Sequence, residues 1–219
     1  MTAYRIGADE AGKGPVLGPM IGAAVRGDGE RLPGGIADSK RLSASRRESL
    51  AADLWTESEI EIGVASVETA EIDDPETDMN RLTVAVQVRA IRQVATDGDR
   101  IVVDAGDVSA SRFGRRVTEG VETDAVSVDV TAEHGADDSY ALAAAASVIA
   151  KVERDRRMAE IGEQYDGAVG SGYPSDPTTR AFLTEYVETH RELPACARRS
   201  WSTCADLLAA ADQSVLGEF

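Results

Sequence analysis

The sequence predicts an α/β protein: a mixed sheet of about five strands flanked by helices, followed by a C-terminal helical segment. Three observations carry that expectation. Tyr4, Ile6 and Ala8 alternate with Arg5, Gly7 and Asp9, the period of a strand with one buried face. Ile101-Val102-Val103 is a short continuous apolar run, the pattern of a central strand covered on both sides. Strand patterns then alternate with stretches of helical periodicity, an order that layers helices on a sheet.

The first strand runs into two adjacent carboxylates, Asp9 and Glu10, and then into a turn built on Gly12 and Gly14 with Lys13 between them. A strand end places side chains rigidly, carboxylates are hard oxygen ligands, and glycines let backbone N–H groups approach a ligand closely. An isolated Asp-Glu pair at a hairpin is more often only solvated. Here Pro15, Gly18 and Pro19 constrain the next segment as well, and so many constrained positions point to a site. Val16 to Val25 is predicted as a second strand, antiparallel to the first, and Gly27 to Gly35 as a polar loop. Asp38-Ser39-Lys40 leads to a helix over Arg46–Trp55, with Ser43 as N-cap and Leu50, Leu54 and Trp55 for the core.

Ile60, Ile62 and Val64 alternate with Glu59, Glu61 and Gly63, a half-exposed strand expected at a sheet edge. An acidic loop over 68–78 precedes a well-buried helix from about Asn80 to Thr96. The 101–103 strand ends in Asp104. Alone, an acid there caps the following turn as readily as it serves chemistry. Beside the strand that ends in Asp9 and Glu10, it would face them. Residues 109–120 suit a helix and 126–130 another strand.

Ala132 to Asp137 opens a long helix predicted from Tyr140 to about Gln164. Its first part, Ala141 to Ala150, is small and apolar and suits close packing on the sheet. Lys151 to Arg157 is charged and expected to emerge into solvent. One of Asp137 and Asp138 suits the helix N-cap, and His134 suits packing or hydrogen bonding better than general-base work. From 166 the chain turns Gly-rich, then helical over 178–189, and ends in an Ala- and Leu-rich helix. The expected division is a catalytic domain over 1–165 and a C-terminal segment over 166–219.

The chain has 219 residues, enough to bury a sizeable core. No apolar run of about 18 residues suggests a membrane helix, and Met1–Arg5 leads straight into strand pattern, so no signal peptide is expected. Cys196 and Cys204 lack metal-ligand or disulfide-scaffold spacing. A cytoplasmic protein, expected to be a monomer, follows. The net charge is −16, with three lysines (Lys13, Lys40, Lys151) against 20 arginines. Such acidity ordinarily argues against a nucleic-acid partner. Dispersed along a Lys-poor chain, it suits a protein of concentrated salt. At about 1 M salt the Debye length is roughly 3 Å, so long-range repulsion from phosphates is nearly erased.

Residues 9–15, Asp-Glu-Ala-Gly-Lys-Gly-Pro, resemble the N-terminal motif of type 2 ribonuclease H (ribonuclease HII). Asp38-Ser39-Lys40 resembles the tripeptide this family carries near its substrate, and Asn80-Arg81-Leu82 another, less specific, family segment. Residues 132–155 resemble the second signature, Ala-Glu-His-Lys-Ala-Asp and then Ala-Ala-Ser-Ile-Ile-Ala-Lys. Gly135 stands where the family usually has Lys, and Ala141 where it has Pro. Gly172–Pro177 resembles the segment whose tyrosine packs on nucleic acid, and Arg199-Ser200-Trp201 the C-terminal motif.

The resemblance implies a ribonuclease H-like fold and a catalytic set of Asp9, Glu10, Asp104 and Asp137, with Asp138 left as cap. It implies two Mg²⁺ or Mn²⁺ ions held by those acids, as suits an all-oxygen site without a Ser or Cys nucleophile. Substrate contacts are implied for Gly12, Lys13, Gly14, Ser39, Lys40, Asn80, Lys151, Tyr173, Arg199 and Ser200. The implied substrates are RNA–DNA hybrids and DNA duplexes with embedded ribonucleotides, cut to leave 3′-hydroxyl and 5′-phosphate ends, and a replication sliding clamp is a candidate partner. Type 3 ribonuclease H shares the four acids but carries a domain ahead of its first motif, whereas eight residues precede Asp9 here. A catalytically dead binding module and a small-molecule phosphatase are the alternatives of other classes. Four retained acids weigh against a binder, which would gain by losing negative charge near phosphates.

Overall fold

The computed structural model describes residues 5–36 and 42–216. Strands β1 (Ile6–Ala11), β2 (Met20–Arg26), β3 (Glu61–Val67), β4 (Arg100–Asp104) and β5 (Asp129–Glu133) form one sheet in the order β3-β2-β1-β4-β5. β2 runs antiparallel to β1, β4 parallel to β1, and β5 parallel to β4. The expected mixed sheet is present, with the 101–103 run inside it and the 61–67 strand at its edge. The helices are α1 (Ala44–Thr56), α2 (Thr69–Ile72), α3 (Met79–Ile91), α4 (Ala110–Val121), α5 (Ala136–Ser139), α6 (Ala141–Gly162), α7 (Pro177–His190) and α8 (Ser202–Leu216).

The chain forms two compact units. One comprises 1–11, 20–66 and 79–153, and the other 12–19, 67–78 and 154–219. The second unit takes in two earlier segments, 12–19 and 67–78, that composition alone does not connect to it.

In the first unit both faces of the sheet are covered. Ile6, Ala8, Ala24, Ile101 and Val103 pack with Val84, Val88 and Ile91 of α3 and with Phe113, Val117 and Val121 of α4. Ala11, Ile21, Ala23 and Val25 pack with Leu50 and Leu54 of α1 and with Ala145, Ala146 and Ile149 of α6. Burying each large aliphatic side chain stabilises the fold by about 1.5–3 kcal/mol. A Cβ on Gly7 would lie 2.2 Å from both the Ala143 nitrogen and the Leu142 carbonyl carbon. The start of α6 therefore rests almost directly on the β1 backbone, which accounts for its small residues.

Several local expectations change. The second strand begins at Met20, not Val16, because two prolines and Gly18 at φ 77° cannot continue a ladder. The Val16 and Leu17 N–H groups instead donate to the Gly172 carbonyl at 2.7 and 3.2 Å. β5 lies three residues later than predicted, since Thr123 and Val126 close a tight turn on each other. Ser43 caps α1 as expected, accepting from the Arg46 N–H, but Trp55 is 59% exposed and not in the core. Arg154, in the charged stretch expected in solvent, is buried.

The second unit has its own core, in which Val16, Leu17, Met158, Val169, Leu183, Val187, Leu193 and Cys204 meet. Asp176 caps α7 through the Thr178 N–H, and Pro at the helix start fits a position with no N–H to satisfy. Asp73 ties the 67–78 segment to the C-terminal part by accepting from the backbone N–H groups of Arg199 and Ser200 at 2.8 and 2.9 Å.

Candidate active site

The parallel register that pairs Ala8 with Val103 sets Asp9 level with Asp104 one step further on. Neighbouring strands lie about 4.8 Å apart, so the two carboxylates share one face at short range. By the two-residue period this is the face that α6 covers. Glu10 points to the opposite face, where the buried Gln87 of α3 donates from Nε2 to Glu10 Oε2 at 2.5 Å and to the Asp104 carbonyl at 2.9 Å. Asp104 Oδ1 accepts from the backbone N–H groups of Gly135 and Ala136 at 2.7 and 3.1 Å. That contact anchors the first turn of α5, in which Asp137 is buried. Three elements thus bring Asp9, Glu10, Asp104 and Asp137 into one unit of the fold.

A four-residue helix, α5, precedes the long helix α6: Gly135 is its N-cap at φ 68°, a conformation glycine adopts without strain, and Asp138, the cap candidate of the long helix, sits exposed in the first turn of α5. A Lys at 135 would strain this backbone. His134 Nδ1 lies 3.2 Å from the Ala105 carbonyl, a hydrogen-bonding role as expected. Asp107, the next acid after Asp104, is fully engaged by Arg112 at 2.7 Å, which holds its carboxyl below the usual carboxylate range.

Electrostatics single out Asp9. Its carboxyl is raised from 3.8 to about 7, first by burial and then, against a lowering hydrogen bond from Ser147, by the charges of Asp104 and Asp137. Ser147 is fully buried and also accepts from Lys151 Nζ at 2.8 Å. With Lys151 as donor, the single hydroxyl proton of Ser147 goes to Asp9. Among the described residues no three carboxyl, imidazole or thiol groups converge into a finished cation cage. The donor set nonetheless fits a hard divalent ion: all its donors are oxygen, and burial, with the charges of Asp104 and Asp137 adding to it, holds the Asp9 carboxyl well above its ordinary value.

The other residues singled out by sequence are distributed more widely. Asn80 is half-buried in the first turn of α3. Ser39 and Lys40 lie outside the described residues. Gly12, Lys13, Gly14, Tyr173, Arg199 and Ser200 belong to the second unit. Tyr173 is 43% exposed, with the Arg154 guanidinium carbon 5.4 Å from its ring centre. The Ser200 hydroxyl donates to Asp73 at 2.7 Å, so its first partner is the protein itself.

The two glycines differ. Gly12 has φ 94°, and a Cβ there would meet Arg154 Nε at 2.6 Å and the Pro19 carbonyl oxygen at 2.9 Å, so the fold itself requires glycine. Gly14 is exposed, has no such φ, and would bring a Cβ only to 3.9 Å from Tyr173.

Sequence reasoning missed Gln87, Ser147, Arg154 and Arg198. The first two lie in helical patterns that read as packing. Arg154 sits among other charged residues and Arg198 beside Arg199, with nothing local to mark either as buried.

The mixed five-stranded sheet flanked by helices is a ribonuclease H-type fold, with Asp9 and Glu10 on β1, Asp104 on β4 and Asp137 on the short helix α5. Residues 6–204 match the family model described as ribonuclease HII. Ribonuclease HII of the halophilic archaeon Haloarcula marismortui is 59% identical over 98% of this chain and 100% of its own length. The crystal structure of ribonuclease H2 from Pyrococcus horikoshii OT3 superposes with a TM-score of 0.85 at 35% identity, over 95% of this chain and 98% of that one. The PCNA:RNase HII complex from Archaeoglobus fulgidus contains a chain that matches with a TM-score of 0.81 at 37% identity, over 92% of this chain and 95% of that one. The chain belongs to the ribonuclease HII family.

Proposed function

We propose that this ribonuclease H hydrolyses the RNA strand of RNA–DNA hybrids and also cuts at ribonucleotides embedded in duplex DNA, leaving 3′-hydroxyl and 5′-phosphate ends. Asp9, Glu10, Asp104 and Asp137 would hold two Mg²⁺ or Mn²⁺ ions. The observation that carries this reading is the buried Asp9 carboxyl, pushed up to about 7 in part by two neighbouring carboxylates. Burial and like charge both penalise the ionised Asp9, and a bound cation would offset that penalty. Bound divalent ions would supply an activated water and neutralise charge on the leaving oxygen.

The protein's own groups set the ligands for that task. Gln87 fixes Glu10, the Gly135 and Ala136 N–H groups fix Asp104, and Ser147 with Lys151 fixes Asp9. The first unit would then perform the chemistry and the second would grip the substrate, through Gly12, Lys13, Gly14, Tyr173, Arg199 and Ser200. Ser39, Lys40, Asn80 and Lys151 complete the proposed contact set. Single ribonucleotides would be recognised through the 2′-hydroxyl, the group that separates RNA from DNA. A sliding clamp is proposed as partner because the Archaeoglobus fulgidus relative forms a complex with PCNA. Among the described residues no helix is long and apolar enough to cross a membrane, and a monomer acting in the cytoplasm is proposed.

The test uses a DNA duplex with one ribonucleotide and an RNA–DNA hybrid, each incubated at molar KCl with Mg²⁺ or Mn²⁺, with the product ends mapped. Cleavage of both substrates that stops with chelator and leaves the stated ends is expected. Cleavage that persists in chelator, or cyclic phosphate products, would overturn the proposal.

A further inference from the structure

Within the second unit, α7 and the turn that follows α6 enclose a cavity of about 410 Å³. Phe182, Tyr186 and His190 recur every four residues along α7, so they share one face of that helix. Tyr165 stands across this face. Its ring centre lies 5.1 Å from that of Phe182 and 5.8 Å from that of Tyr186, with the ring planes turned by 72° and 81°. His190 continues the stripe, 4.3 Å from the Tyr186 ring centre. The Tyr165, Phe182 and Tyr186 rings are half-buried, and Asp166 and Glu185 line the same cavity as exposed carboxylates. Burial, and then a hydrogen bond with Cys196, push the Tyr165 hydroxyl up to about 12, so this ring is neutral.

The wall chemistry selects the occupant. Neither Asp166 nor Glu185 has an ion-pair partner among the described residues. Two carboxylates at the opening repel phosphate, so the rings do not serve as a stacking platform for a nucleic acid, which needs a basic groove beside its aromatics. The face of an aromatic ring carries partial negative charge, so rings and carboxylates attract the same thing, a cation. A metal cation takes several oxygen ligands and gains little from ring faces. An alkylated ammonium gains from both parts of the wall: its charge meets the ring faces and the carboxylates, and its methyl groups bury against the rings. The volume is that of a small-molecule site.

We propose that this cavity binds a small alkylated-ammonium compound, whose charged head lies against the Tyr165, Phe182 and Tyr186 rings with Asp166 and Glu185 beside it. The site uses none of the residues assigned to hydrolysis or to substrate contact.

The test compares choline with the uncharged alcohol in which carbon replaces its nitrogen, a probe of the same shape. Both are titrated onto the full chain in about 1 M KCl, where non-specific attraction of cations to an acidic surface is screened. Nuclear magnetic resonance follows the backbone amides of residues 164–190. Choline should saturate these shifts with a dissociation constant of about 10 mM or tighter, and the alcohol should bind at least about tenfold more weakly. Glu185→Gln and Tyr186→Leu should each weaken choline at least about threefold. Glu188→Gln, the same change of charge on the same helix but outside the cavity wall, should leave binding unchanged, and melting temperatures show that each variant is folded. Equal binding of the two probes, no saturable shift with choline, or equal losses in Glu185→Gln and Glu188→Gln would overturn the assignment. Binding of a trimethyllysine peptide more than about tenfold tighter than choline would overturn the free compound in favour of a protein side chain.

Discussion

Replacing Asp9 with asparagine should stabilise the protein at alkaline pH when no divalent ion is present, even as it abolishes activity. In the folded chain the Asp9 carboxyl is raised from 3.8 to about 7 by burial and by Asp104 and Asp137. A carboxyl raised on folding binds more protons in the folded state, so its contribution is fully present below about 3.8 and is lost progressively as pH climbs from there to about 7. The displacement corresponds to ~4 kcal/mol between the two protonation states. Relaxation and entry of water at the strand end reduce this to about 2 kcal/mol, or about 4–8 °C in melting temperature for a chain of this size. Asn keeps an oxygen that can accept from the Glu10 N–H, which lies 2.7 Å from Asp9 Oδ1. Thermal melts in chelator and molar KCl at pH 5 and pH 8 read the effect. Asp9→Asn should melt above wild type at pH 8, the gap should shrink to roughly a third at pH 5, and adding Mg²⁺ should raise only the wild type. A variant less stable than wild type at pH 8, or a gap unchanged between the two pH values, would refute the reasoning.

Three further outcomes are expected. Glu10→Gln, Asp104→Asn and Asp137→Asn should each lower kcat by at least about 10²-fold with the fold retained, whereas the exposed Asp138→Asn should cost less than about tenfold; steady-state kinetics and circular dichroism check both. Gly12→Ala should destabilise by about 2 kcal/mol or more, since it adds a positive-φ penalty to contacts under 3.0 Å, while Gly14→Ala should leave the melting temperature within about 1 °C and still reduce cleavage at a single ribonucleotide. With a net charge of −16, the melting temperature should rise across a KCl series toward molar salt, and a flat or falling series would remove the case for salt adaptation.

Much of this architecture was legible in the chain because each element carries a local signature. The alternation before Asp9, the apolar run before Asp104 and the small residues of 141–150 report burial through side-chain period and size. Asp9, Glu10 and Asp104 were legible because they end strands, where a charge has no packing reason to be, whereas Asp137 was singled out by the resemblance of 132–137 to a family motif. Interactions between remote carbonyls and side chains leave no such mark. The stretch 15–19 is apolar enough to look like strand, yet its carbonyls and N–H groups go to Arg198, Cys196 and Gly172. The burial of Arg198 follows from that pairing, and Arg154 is held by the Ser171 carbonyl at 3.1 Å. Trp55 shows the converse: its position on the helical stripe suits a core, but nothing covers enough of it.

Direct titration of Mn²⁺ onto the protein, followed by electron paramagnetic resonance in molar KCl near pH 8, tests the central claim that Asp9, Glu10, Asp104 and Asp137 hold the ions that drive hydrolysis. The wild type should bind Mn²⁺ and lose the signal of free ion, and Asp104→Asn and Asp137→Asn should each weaken binding in step with their loss of cleavage. Wild-type binding retained in inactive Asp104→Asn and Asp137→Asn variants, or no binding by the active wild type, would contradict it.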